Sequence, residues 1–214
     1  MASSDKSKRL IVEGEQDKRV IPYLMEANGI PWKKGNEPVD IKPYGGDGFI
    51  DPYRISARLK ETGLTHLGLM LDADDDASDR WQSIRNACLQ SIPNIPEQIP
   101  ETGLIINIKD EKKFGVWIMP DNQMKGMLET FLAYMIPGEN EPLWQYTHEV
   151  VVEAKVRGAK FINSHIDKAY IYSWLAWQNP PGRQLHNAIE EKILDPQHPK
   201  AQVFINWFKT LYDL

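Results

Sequence analysis

L-M-L-D-A-D-D-D, residues 69–76, is an apolar run that stops at a row of carboxylates. L-I-V-E-G-E-Q-D, residues 10–17, has the same form. Leu69, Met70 and Leu71 read as a buried strand ending at Asp72, with Asp74 two residues on. Leu10, Ile11 and Val12 read as another, ending at Glu13. Short apolar runs without alternation suit strands of a parallel sheet covered on both faces. If the two strands are parallel neighbours, their carboxylates meet at the C-terminal edge of one sheet, where open α/β sheets bind ligands. Clustered carboxylates repel one another and favour a hard divalent cation, Mg²⁺ or Mn²⁺.

Working outward, Val20, Ile21, Leu24 and Met25 give helical spacing over 16–28, with Gly29 as the stop. Residues 38–44 predict a strand ended by Pro43, and Y-G-G-D-G at 44–48 a flexible turn. A helix over 51–62, ended by Gly63, leads to the central strand 66–72, and a further helix follows over 78–92. Alternation of strand and helix implies a mostly parallel sheet. Residues 93–102 are a proline-rich connection. Strands at 104–108 and 115–119 form a hairpin around D-E-K-K at 110–113, and 124–136 reads as a helix. Helices are expected over 141–155, 164–177, 183–194 and 199–212. The expected organisation is a flexible lead-in at 1–8, an α/β core over 9–136, and a mostly helical extension over 137–214 packed on that core.

The 214 residues are 42% hydrophobic, enough for one large domain or a domain with an appendage, and the formal charge of −5 argues against broad nonspecific nucleic-acid binding while allowing a local basic groove. The single cysteine, Cys88, excludes a disulfide framework and reads as helix packing. The chain has no apolar stretch long enough to span a membrane and no apolar signal core at its start, so the expectation is a cytoplasmic protein without a membrane partner.

Glu13, Asp72 and Asp74 are the first candidate metal ligands. Gly14 permits a tight exit from the strand and close approach of a phosphate. Asp17 reads as a helix-start residue able to assist a second ion. Asp76 and Asp79 suit the start of a helix, with Asp76 in reserve as a ligand. Glu129, in M-P-D-N-Q-M-K-G-M-L-E at 119–129, is the third acidic point, and Asp121 before it reads as a ligand, a gate against anions or a cap. Glu13, Asp72, Asp74 and Glu129 would suffice for two-metal phosphoryl transfer.

V-E-G-E-x-D followed by L-D-A-D resembles the Toprim domain shared by primases, topoisomerases and OLD-type nucleases. W-I-M-P-D-N-x-x-x-G-M-L-E and W-L-A-W-Q-N-P-P-G-R resemble a small bacterial family of Toprim-like proteins known mainly as a domain of unknown function. The resemblance runs from about residue 9 to 212. It implies a Toprim-like α/β fold, Mg²⁺ near Glu13 and the Asp72–Asp74 pair, and a second-ion role for Glu129. The chain has neither the tyrosine-bearing domain of topoisomerases nor the zinc module of primases. It also lacks G-x-x-x-x-G-K-[ST], so an ATPase in such a system would be a separate polypeptide.

Lys168 is the candidate for stabilising a phosphoryl transition state, with Lys155 next. Lys155, Arg157 and Lys160 form a small basic group, and Arg183 is placed for a phosphate or a loop carbonyl. His165 and His186 have no metal-ligand spacing. Trp174 and Trp177, three apart, read as a shared face packed on the sheet, with base stacking as the functional possibility. The leading expectation is a Mg²⁺-dependent phosphoryl-transfer enzyme, a nuclease on DNA or RNA. The other is a non-catalytic nucleotide- or nucleic-acid-binding module, or a regulator of a separate ATPase. Phosphotransfer onto Asp72 fits poorly, since no downstream threonine and lysine pair is evident.

Overall fold

The computed structural model describes residues 7–214. Five strands form one sheet: β1 (Lys8–Val12), β2 (Asp40–Pro43), β3 (His66–Asp72), β4 (Leu104–Asn107) and β5 (Lys113–Met119). Their spatial order is β2-β1-β3-β5-β4. β2, β1, β3 and β5 run parallel, and β4 joins β5 antiparallel at one edge, as the hairpin reading expects. The α-helices among the described residues are α1 (Glu15–Glu26), α2 (Pro52–Leu59), α3 (Ala77–Cys88), α4 (Leu128–Ala133), α5 (Glu141–Val156), α6 (Ile166–Ala176), α7 (Leu185–Glu190) and α8 (Pro199–Tyr212). The fold is thus the expected mostly parallel α/β sheet flanked by helices, with further helices C-terminal to it.

Strand periodicity sends alternate side chains to opposite faces. Leu10, Val12, Met70, Trp117 and Met119 enter one core with residues of α1, α4, α6, α7 and α8. Ile11, Leu67, Leu69, Leu71, Val116 and Ile118 enter the other, with Ile55 of α2 and Trp81 and Ile84 of α3. Both faces are covered, which is why these strands read as unbroken apolar runs.

α8 lies against the first face, and its end explains two glycines. A Cβ on Gly68 would stand 2.3 Å from the Tyr212 hydroxyl and 2.8 Å from Leu10; one on Gly115 would stand 2.6 Å from Leu211. The buried Tyr212 hydroxyl donates to the Arg9 carbonyl at 2.8 Å, which fixes the ring where the glycines leave room. Gly68→Ala is expected to cost about 1–3 kcal/mol in urea denaturation, the usual penalty for overpacking. Gly138→Ala, where an added Cβ meets nothing, is the neutral control. Equal midpoints for the two variants would contradict this packing.

Several boundaries differ from the sequence reading. The helix expected over 124–136 is only Leu128–Ala133. Asn122 (φ 67°) and Gly126 (φ 135°) are left-handed or otherwise positive in φ, so the backbone before Met127 cannot be helical. The helix expected over 183–194 closes to Leu185–Glu190, and Lys192 has a φ of 57°. Lys8 opens β1, so the expected lead-in over 1–8 enters the sheet at its end; residues 1–6 lie outside the described residues. No helix among the described residues is long and apolar enough to cross a membrane.

Candidate functional site

The register Val12↔Met70 places the residue after β1 beside the end of β3. Glu13 consequently reaches across: its Oε2 accepts from the Asp72 backbone N–H at 3.2 Å. Asp72 in turn accepts, through Oδ1, from the Leu128 N–H at 3.1 Å, at the first residue of α4. The turn after β3 and the turn before α4 are laced together, because Asp74 and Gly126 exchange two backbone hydrogen bonds of 3.0 and 2.9 Å. Gly126 is needed there, since a Cβ would stand 2.5 Å from the Thr130 hydroxyl. This lacing brings Glu129, in the first turn of α4, to the sheet edge, where it is buried. Asp17, in the first turn of α1, is buried as well and accepts from the Gly14 N–H at 2.8 Å.

Burial and mutual charge push these carboxyls upward. Asp72 is pushed well above the usual carboxylate range, by burial first and then by Asp17, Glu13, Glu129 and Asp74. Asp17 is pushed up to about 7 by burial, with the charges of Glu129 and Glu13 adding to it. Burial also raises Glu129, and the Lys168 ammonium on α6 is its largest charged counterweight. The two segments far apart in sequence therefore meet as a single charged field.

Other sequence candidates have different roles. The Asp74 carboxylate is half-exposed and pairs with Arg80. Asp76 caps α3, accepting from the Ser78 and Asp79 N–H groups at 2.7 and 3.0 Å. Asp121 accepts from the Gln123 and Met124 N–H groups and from the Tyr134 hydroxyl, so it closes a turn rather than capping a helix, since α4 has Met127 as its N-cap. Lys155 donates to the Phe161 carbonyl just beyond α5, and Arg157 pairs with Glu153. Arg183 pairs with Glu191 at 2.8 Å rather than with a loop carbonyl. The shared face expected of Trp174 and Trp177 is not formed. Trp174 is fully buried, whereas Trp177 is 41% exposed and stacks on Tyr146 at 5.8 Å.

Sequence reasoning did not single out Asp167, Gln16 or Tyr172. Asp167 accepts from the Thr130 hydroxyl, tying α6 to α4. Gln16 donates to the Tyr172 hydroxyl at 3.0 Å, tying α1 to α6. Neither pair has a local signal, because each joins segments distant in the chain. Among the described residues, no group of three or more His, Cys, Asp or Glu side chains is placed to hold a metal ion as the side chains stand.

A family model described as "Protein of unknown function (DUF3226)" matches residues 7–213. The chain belongs to that family. No curated protein matches this DUF3226 chain. Solved structures of the C-terminal region of the OLD protein of Xanthomonas campestris pv. campestris show a distant likeness. The iodine-phased structure is 14% identical with a TM-score of 0.40, covering 94% of this chain and 84% of that one. The mercury-phased structure is 17% identical with a TM-score of 0.41, covering 95% and 87%. The platinum-phased structure is 13% identical with a TM-score of 0.42, covering 97% and 93%.

Proposed function

We propose that this chain is a divalent-cation-dependent phosphoryl-transfer enzyme, a nuclease that hydrolyses phosphodiesters of DNA or RNA. The observation that carries this reading is the field around Asp72. Glu13, Asp17, Asp74 and Glu129 all raise its carboxyl at the C-terminal edge of the parallel sheet. Such a set of hard oxygen donors, crowded and mutually repelling, fits Mg²⁺ or Mn²⁺. Glu13, Asp72 and Glu129 would hold the ion, with Asp74 supplied if it leaves Arg80 and Asp17 beside them. A bound cation supplies polarisation of a phosphate oxygen and a more acidic bound water. The chain's own contribution is to fix these carboxylates against backbone N–H groups and to bring Lys168 beside Glu129, where an ammonium offsets charge gathering on a phosphate. The Toprim-like motifs V-E-G-E-Q-D and L-D-A-D support the same assignment.

A second reading has its own support. Glu13 and Asp72 each spend a carboxylate oxygen on a backbone N–H, which is what acids retained for folding would do. On that reading the domain binds nucleotide or nucleic acid without turnover, or regulates a separate ATPase. Hydrolysis of labelled DNA and RNA with Mg²⁺ or Mn²⁺, comparing the natural chain with Asp72→Ala, separates the two. Cation-dependent cleavage lost in Asp72→Ala supports the enzyme; cation binding without turnover supports the module.

A further inference from the structure

Along α6 and the segment before it lies a wide-open cavity of about 460 Å³, lined by Phe161, His165, Lys168, Tyr172 and Ser173 among others. Its lining combines two kinds of group. Phe161 and Tyr172 are aromatic, and Tyr172 is 39% exposed with its hydroxyl held by Gln16 of α1, three residues after Glu13. Lys168 and His165 are basic, and Lys168 forms no ion pair among the described residues. Asp167, beside Lys168 in the chain, accepts from the hydroxyl of Thr130, beside Glu129, and Gln16, beside Asp17, donates to Tyr172, so the cavity opens on the flank of the carboxylate cluster. The Lys155 ammonium sits over the Phe161 ring, 4.7 Å from its centroid, and fixes that ring at the rim.

We propose that this cavity takes one unpaired nucleotide of the substrate, its base against the Phe161 and Tyr172 rings and its phosphate toward Lys168 and His165. The inference rests on the nuclease reading and specifies its substrate class: a strand whose bases are free to leave the stack, single-stranded or frayed at an end. A cavity of this size accommodates a nucleotide. An ammonium in no ion pair among the described residues, next to a partly exposed Phe161 ring and the exposed Tyr172 ring, matches the combination of anionic backbone and π-face that single strands present. A paired base within a duplex has neither face available to these rings.

The test is binding, read separately from hydrolysis. A short fluorescein-labelled single-stranded oligodeoxynucleotide is titrated in EDTA with the full chain, and fluorescence anisotropy is compared with a blunt duplex of the same sequence. The single strand is expected to bind tighter, and Phe161→Ala is expected to weaken it roughly tenfold or more, as loss of a stacking ring does. Tyr172→Phe, which keeps the ring, is expected to retain most of the affinity, and a strand with its bases replaced by abasic sites to bind as weakly as the duplex. Circular dichroism of Phe161→Ala checks that it folds. Equal affinity for single strand and duplex, or for the natural chain and a folded Phe161→Ala, overturns the proposal even where cleavage persists. Single-strand binding that depends on Phe161, without cation-dependent cleavage, upholds the cavity and removes the nuclease reading instead.

Discussion

Asp72→Asn is expected to abolish cation-dependent cleavage, by on the order of 10³-fold in turnover, while leaving the cation-free protein at least as stable as the natural chain. The loss in rate follows from the central place of Asp72: four other carboxylates act on it, so its charge is the one a bound ion would feel most directly. The gain or parity in stability follows from the same crowding. Asp72 is pushed far above the ordinary carboxylate range, so in the absence of a cation its ionised form is disfavoured by the fold. Asparagine retains an oxygen that can accept from the Leu128 N–H and carries no charge. Opposite signs for activity and stability mark a functional group, since a purely structural acid would lose stability when replaced. The paired measurement is single-turnover cleavage with Mg²⁺ and urea denaturation in EDTA. A variant that cleaves normally, or one that unfolds markedly more easily in EDTA, contradicts this role.

Asp17→Asn is expected to lessen the pH dependence of the cation-free protein between mildly acidic and mildly basic conditions, leaving the share that Asp72 and Glu129 carry. The Asp17 carboxyl stands at about 7 in the fold against an ordinary value of 3.8. Between those values the folded protein keeps a proton that the unfolded chain releases. Stability associated with the neutral acid is therefore full below the unfolded value and is lost as pH rises through the folded one, by about 4 kcal/mol in all. Above that range the natural chain carries the whole penalty, and Asp17→Asn does not. Asparagine also keeps an oxygen for the Gly14 N–H. Urea midpoints in EDTA at about pH 5 and about pH 8 give the comparison: a steeper fall for the natural chain than for the variant. Parallel curves would show that Asp17 ionises without cost. Mg²⁺ added at the higher pH is expected to restore stability to the natural chain, because an ion bound only by the fold stabilises it by mass action.

Both expectations depend on residues whose visibility in the sequence differed. Glu13 and Asp72 were legible because each ends an apolar run, and a parallel sheet brings such ends to one edge whatever their separation along the chain. Asp17 was ranked behind them, yet it precedes Val20, Ile21 and Leu24 by three, four and seven residues, on the buried stripe of α1. Its burial was therefore legible from periodicity, although an acid in the first turn of a helix also reads as a helix-start residue. The position of α4 was not legible: Met124, Met127, Leu128 and Phe131 keep a helical spacing through a stretch whose backbone turns at Asn122 and Gly126. Trp177 misled for a similar reason. Its spacing from Trp174 fits one helix face, but it falls at the C-terminal end of α6, where Tyr146 of α5 stacks on it at the surface. The contacts that align α6 with the carboxylates, Thr130 with Asp167 and Gln16 with Tyr172, bridge distant segments and leave no trace in local pattern.

The enzymatic reading depends on one centre at the end of β1 and β3. A crystal of the natural chain soaked with Mn²⁺, with anomalous scattering collected at the manganese edge, tests it most directly. An anomalous peak coordinated by Glu13 and Asp72, with Glu129 or Asp74 completing the set, is the predicted result. Manganese bound elsewhere, with Glu13 and Asp72 still turned to the Asp72 and Leu128 N–H groups, would contradict it.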